Sequence, residues 1–229
     1  MKFTKKINCL NCPYKCGVFD ALKESGHDPE KIESIHAEYR KHELICKQGN
    51  DVTHSIYLVQ GTAKLFIEGL NNRNIILYIL KPDSYIGLLS FFETINYTYS
   101  VMTLEECCVC MLDLAFLKKL YLANHQLYIN LNKALGKSVA AIMKKLISLN
   151  QKQIRGRIAE NLIYLSKFHG NNKFNLGLTR KELGEMSAIS EENAVRILSE
   201  LRNENVIDLK GKEIEILDMN FLQKISEIG

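Results

Sequence analysis

The sequence lacks several features at once, and each absence narrows the field. No stretch of the 229 residues approaches the roughly 18 apolar side chains in a row that a membrane-spanning helix needs. The start, MKFTKKINCLNCP, is basic but has no apolar h-region behind it, so it does not read as a secretory signal. No nucleophile–base set and no glycine-rich phosphate loop is present, so nothing marks an enzyme. Between Leu114 and Ala159 there is no aspartate or glutamate, although nine lysines and arginines fall there; the stretch reads mostly as one solvated helix face. The seven cysteines are an odd number, which argues against a secreted disulfide scaffold. They fit reduced thiols or metal ligands in a cytoplasm.

What is present is ordinary globular material. The chain is 46% apolar and 24% charged, enough to bury real cores in two domains. The formal net charge is +4, from 30 basic and 26 acidic residues. From Gln151 onward the two signs balance at 12 each, so any affinity for nucleic acid must come from local placement.

The most informative segment is Leu178–Leu209. Thr179 followed by Glu182 forms a capping box and starts a helix that buries Leu183 and Met186. Ser187-Ala188-Ile189 is long enough only for a turn. Ser190 caps a second helix with Ala194, Ile197, Leu198 and Leu201 at i, i+3, i+4, i+7 spacing. Two helices joined so tightly cross steeply, as in a helix-turn-helix. The other face of the second helix carries Glu191, Glu192, Asn193 and Arg196, side chains able to reach base edges in a major groove. Directly after it, Val206, Ile207 and Leu209 form a short strand, Lys210-Gly211-Lys212 a turn, and Ile214 and Ile216 alternate with glutamates on a return strand. Helix, turn, helix and basic-tipped hairpin together make a winged helix. Thr179, Arg180 and Lys212, at a helix start and a wing tip, are placed for phosphates.

The run Thr179-Arg180-Lys181-Glu182, with Ser190, Glu192 and Arg196-Ile197-Leu198, resembles the DNA-binding end of the CRP/FNR family of bacterial transcription regulators. Gly156-Arg157-Ile158-Ala159 is similar to the segment that opens that domain in the family. The resemblance extends over nearly the whole chain. It implies a homodimeric, sequence-specific regulator that binds an inverted-repeat operator in double-stranded DNA, with RNA polymerase as a further partner. A reading from another class is a metal- or redox-active sensor whose C-terminal helices bind a protein partner and not DNA.

The expected fold class is α+β, with four segments. Residues 1–26 are cysteine-bearing and irregular. Residues 27–114 carry short strands at Leu44–Lys47, Ser55–Gln60, Thr62–Ile67, Asn74–Leu80, Tyr97–Met102 and Cys107–Asp113, which suggest a sandwich or jelly roll. The resemblance makes this a double-stranded β-helix of the cyclic-nucleotide-binding type. Residues 115–150 read as one helix, and 151–229 as the winged helix. On the helix, Tyr128, Asn132, Leu135, Val139, Ile142, Leu146 and Leu149 fall on a 4,3 repeat suited to a two-helix seam. A second stripe, Leu127, Leu131, Ala134 and Ala141, is placed to lie on the β domain.

The family's nucleotide binders carry Gly-Glu-Leu and, about ten residues on, Arg-Ser. Here Gly87 precedes Leu88-Leu89, and the Arg-Ser positions fall at Thr98-Tyr99, so a buried phosphate would lack its cation. That argues against cAMP as the effector and places the chain nearer the FNR-like members. Cys9, Cys12, Cys16 and the distant Cys110 match the layout of the family's oxygen-sensing iron–sulfur regulators, with a shorter gap before the third cysteine. Four thiolates suit a [4Fe–4S] cluster; the same residues suit a zinc ion, and plain reduced thiols are the third reading.

Overall fold

The computed structural model describes residues 2–14, 16–88 and 96–228. The chain divides into two compact units, one of residues 1–67 and 78–141, the other of 68–77 and 142–229.

The first unit is built on two antiparallel sheets. One runs β1 (Lys2–Asn8), β2 (Glu33–Tyr39), β9 (Cys107–Asp113), β4 (His54–Gln60), β7 (Ser84–Ile86) in spatial order. The other runs β3 (Leu44–Cys46), β8 (Ser100–Thr103), β5 (Ala63–Ile67), β6 (Ile75–Leu80), the first three residues of β6 being grouped with the second unit. This is the β-roll that the strand spacing and the family resemblance predict. In the larger sheet Ala37 pairs with Val109 and Val109 with Leu58, and all three are fully buried. Because strand side chains alternate between faces, the next rung, His36–Cys110–Tyr57–Tyr85, lies on the opposite face. That opposite face is covered. Helix α1 (Gly17–Glu24) buries Val18, Phe19, Ala21 and Leu22. They join Cys9, Cys110, Leu112, Leu117 and Leu120 in one apolar cluster.

Two expectations need correction. The segment of residues 1–26 is not irregular. It holds β1, which finds its partners on β2 from Lys2↔Glu38 to Asn8↔Glu33, and it holds α1. Strand β2 lay outside the expected set as well. Both strands gain their hydrogen bonds from sequence-distant neighbours, which no local pattern announces. The helix expected from Ala115 to Leu149 is two helices, α2 (Leu114–Ala123) and α3 (His125–Gln151). The break is Asn124, whose backbone is extended (φ −120°, ψ 112°). Its side-chain oxygen accepts from the Leu127 amide at 2.7 Å, the job of a helix N-cap.

In the second unit, α4 (Ile154–His169) packs against α7 (Met219–Ile228) and α5 (Arg180–Ser187), and α5 against α6 (Glu191–Asn203). The wing has three strands, in the order β10 (Lys173–Asn175), β12 (Glu213–Ile216), β11 (Ile207–Lys210); only the last two were expected. Leu183, Met186, Ala194, Ile197, Leu198 and Leu201 are all at most 1% exposed, as their spacing predicts. Each fully buried large apolar side chain of this face contributes about 1.5–3 kcal/mol to the unit's stability.

Candidate nucleic-acid interface and thiol site

The capping box at the head of α5 forms as read: Thr179 Oγ1 accepts from the Glu182 amide, and the Glu182 carboxylate accepts from the Thr179 amide at 2.7 Å. Helix α5 ends at Ala188, a non-glycine residue held in the left-handed region (φ 50°, ψ 49°). Gly184 makes the tight crossing possible, because a Cβ there would press on the carbonyl oxygens of Ile189 and Ser190. Ser190 then caps α6 by accepting from the Asn193 amide at 3.3 Å. Hydrogen bonds from its own backbone and from Ser190 hold the Glu192 carboxyl below the usual carboxylate range.

The outward face of α6 presents Glu192, Val195 and Arg196, with half-buried Asn193 beside them. Arg196 is not isolated. Its Nη1 donates to Glu200 at 2.6 Å, one turn on, and its Nη2 to Asn193 Oδ1 at 3.5 Å. Glu200 was not among the expected site residues; its (i, i+4) spacing from Arg196 is the signal that would have found it. Arg180 is half-buried, with one amino group donating to the Gly211 carbonyl of the wing at 2.5 Å and Nη1 buried without a partner. Burial depresses its pKa. Arg180 therefore anchors the wing tip as well as adding charge beside it. Gly211 turns the hairpin at φ +61°, and Lys212 beside it is exposed. The face thus offers a row of polar donors and acceptors on one helix, a helix N-terminus and a cationic tip, the parts needed to sit on a duplex groove and its phosphates.

On α3, Leu127 and Leu131 are 1% exposed and belong to the apolar cluster of the β unit, and Ala134 packs beside them. Leu135, expected in the seam, partly turns to that same cluster. Val139 and Leu146 are 41% and 56% exposed, Ile142 and Leu149 half-buried. Met143 and Ile147, 57% and 54% exposed, were missed, and they continue the stripe of Val139 and Leu146. A straight helix drifts off a strict heptad, so the exposed apolar stripe includes positions that the 4,3 repeat passes over.

Cys9 and Cys110 belong to one apolar cluster, and Cys16 packs against it. Cys110 stands on the covered face of the larger sheet, and Cys9, Cys12 and Cys16 all act on it electrostatically. Burial drives its thiol up to about 12, and burial raises Cys16 as well. The Cys12 thiol donates to the Tyr14 carbonyl at 3.3 Å, and its sulfur lies 3.7 Å from Nε2 of the buried His36. Among the described residues no set of three or more His, Cys, Asp or Glu is drawn into a metal-holding arrangement. Lys15, inside the cysteine segment, lies outside the described residues. Cys107 faces the other way, donating to the Thr62 carbonyl at 3.3 Å, and Cys46 is buried on β3.

In the β-roll the amide of Gly87 donates to the hydroxyl of buried Tyr99 at 2.7 Å, while Thr98 is exposed. A tyrosine from the chain itself occupies that amide, and Leu88 is 5% exposed. Leu89 lies outside the described residues.

Residues 36–124 match the cyclic nucleotide-binding domain family, and residues 156–225 match the Crp-like helix-turn-helix domain. The chain is 28% identical over 185 residues to the transcriptional activator protein Anr of Pseudomonas protegens, which covers 78% of this chain and 75% of the relative. It is 24% identical over 183 residues to the cAMP-activated global transcriptional regulator CRP of Salmonella typhimurium, covering 78% of this chain and 87% of the relative. Among solved structures, FixK2 from Bradyrhizobium japonicum aligns over 84% of this chain and 96% of its own with a TM-score of 0.75, at 17% identity.

Proposed function

Because the chain belongs to the CRP/FNR family of transcription regulators, with its sensor-type β domain and its Crp-like helix-turn-helix, we propose that it acts as a homodimer on an inverted-repeat operator. It is a sequence-specific DNA-binding regulator, and no activity as an enzyme is assigned to it. The observation that carries the DNA reading is the outward face of α6 beside a wing tip that presents Lys212 and is anchored by Arg180. In this reading Arg196 takes a guanine edge and Glu192 a cytosine amino group, with Asn193 and Ser190 alongside. Thr179, Arg180 and Lys212 take phosphates. The exposed apolar stripe of α3, with Leu135, Val139, Ile142, Leu146 and Leu149, forms the seam with the second copy. The segment bounds of residues 1–26, 27–114, 115–150 and 151–229 belong to the same proposal, as do a cytoplasmic location and contact with RNA polymerase. No described helix is long and apolar enough to cross a membrane. Selection of duplexes from a random pool tests the reading. Recovered sequences should be inverted repeats with half-site centres about 34 Å apart, and recovery of no consensus would overturn it.

The signal we propose is not cAMP. The reading rests on the missing cation at Thr98 and on Tyr99 closing over the Gly87 amide. We propose instead that Cys9, Cys12, Cys16 and Cys110 hold a [4Fe–4S] cluster. The support is the donor type and placement: Cys9 and Cys110 share one apolar cluster, Cys16 packs against it, and Cys12 lies beside His36, the strand partner of Cys110. Such a cluster supplies iron–sulfur bonds that oxygen breaks. Cys9, Cys12, Cys16 and Cys110 would hold it as thiolates, each releasing its proton as it binds iron. Iron, sulfide and zinc analysis of protein purified without oxygen tests it: iron with sulfide supports the cluster, zinc or no metal removes it.

A further inference from the structure

The polar groups beneath the helix-turn-helix carry an inference that rests on the DNA-binding and dimer readings and goes beyond both. The last carbonyls of a helix have no partner inside it. At the end of α5 these are the carbonyls of Met186 and Ser187, and side chains from other helices serve them. Lys145, on α3, sends its ammonium to the Met186 carbonyl at 2.6 Å and to Asn161 Oδ1 at 3.3 Å. Asn161, on α4 and 5% exposed, donates to the same carbonyl at 3.1 Å and to Ser187 Oγ at 2.8 Å. Arg157, also on α4, donates to the Ser187 carbonyl at 3.1 Å. Two cations and an amide thus cap the negative end of α5, where positive charge is favoured. Burial depresses the Lys145 ammonium to about 8, so it is held there against a desolvation cost.

The placement matters because of what lies on either side. Gly184 packs onto the turn, and only Ala188, Ile189 and Ser190 join α5 to α6. Whatever fixes the end of α5 therefore aims α6. Lys145 is two residues from Met143 and from Ile147 on α3, at about 100° per residue, so it points roughly away from those two side chains and borders the seam on the side of Ile142 and Leu149. A single helix carries both the seam, whose Ile142 and Leu149 lie one turn from Lys145, and the hook on the reading head.

We propose that Lys145 is a positioning residue for operator recognition: through the Met186 carbonyl it transmits the rotation and register of the long helix to the recognition helix. Asn161 and Arg157 hold α5 to α4, but Lys145 is the link to the helix that carries the seam.

The test uses full-length protein with Lys145→Met, which keeps an apolar stem and removes the donor, and Lys145→Arg, which keeps a cationic donor. Binding is measured to the operator recovered by selection and to a random duplex, alongside sedimentation and thermal unfolding. Lys145→Met should remain a dimer and bind random duplex within about twofold of wild type, since no phosphate contact is lost. Its operator affinity should fall by about 5- to 150-fold, the usual size of a coupling between sites. Lys145→Arg should recover most of that loss. Equal losses on both duplexes would mean a merely structural role and overturn the proposal; so would an unchanged operator affinity, or an arginine variant as poor as the methionine one. If Lys145→Met does not fold, Lys145→Gln is judged by the same ratio. A wild-type protein that selects no operator would sink the DNA reading itself, a separate outcome.

Discussion

Replacing Arg196 with alanine separates reading from folding. The guanidinium lies on the surface, and its pairing with Glu200 at 2.6 Å is an (i, i+4) contact with side chains 56% and 35% exposed. Such a pair is worth about 0.3–0.5 kcal/mol, and alanine is at least as good a helix former as arginine. At about 4–8 °C per kcal/mol for a unit of this size, Tm should drop by no more than about 4 °C. A bidentate arginine–guanine contact is worth about 1–3 kcal/mol of discrimination. Two recognition helices on an inverted repeat double that to about 2–6 kcal/mol, or a loss of operator affinity of about 30-fold and upward. The assay is fluorescence anisotropy on the selected operator and on one with the contacted guanine changed in both half-sites. If Arg196 reads that guanine, the protein change and the base change should not add. Glu200→Gln serves as control: it should preserve the base preference and raise affinity for all duplexes, because it removes a negative charge next to the groove. An Arg196→Ala protein with unchanged base preference would refute the assignment, as would a Tm loss large enough to explain the weaker binding.

Four further outcomes follow from the geometry. Ile142→Glu or Leu146→Glu puts charge into the α3 stripe and should give monomers in sedimentation, with operator affinity largely lost; an intact dimer counts against the seam. Cys110→Ser should abolish any oxygen-bleached visible absorbance of anaerobic protein, and colourless wild-type protein would remove the cluster. Ala188→Gly relieves a left-handed alanine and should stabilise the winged helix by up to about 1 kcal/mol, read as a higher Tm; a lower Tm would show that the turn carries no strain. Lys145 has a folded pKa of about 8, below the ordinary lysine value, because burial disfavours its charge. Between about pH 8 and 10.5 the unfolded chain therefore binds more protons at this position. Wild type should gain stability relative to Lys145→Met as pH rises through that window, and a flat difference in denaturant midpoints would refute it.

The reading head was legible in the sequence because its determinants are local. A capping box, an N-cap serine, an i, i+3, i+4, i+7 row and a glycine turn each act within one or two helical turns, and all fall where read. The missing phosphate cation at Thr98 was legible for the same reason: it is a matter of residue type. Strands β1 and β2 were not, since their hydrogen bonds come from partners distant in the sequence. Nor was the break at Asn124, where one side chain overrides a continuous apolar pattern. The sequence by itself determined which elements could form and which side chains carry chemistry. The tertiary structure alone decided which of them meet: Cys110 with Cys9 in one apolar cluster, Arg180 with the wing carbonyl, and Lys145 with the end of α5. The physical reason is that a buried polar group must find a partner wherever the packing of apolar faces leaves one, and that packing is a property of the whole chain.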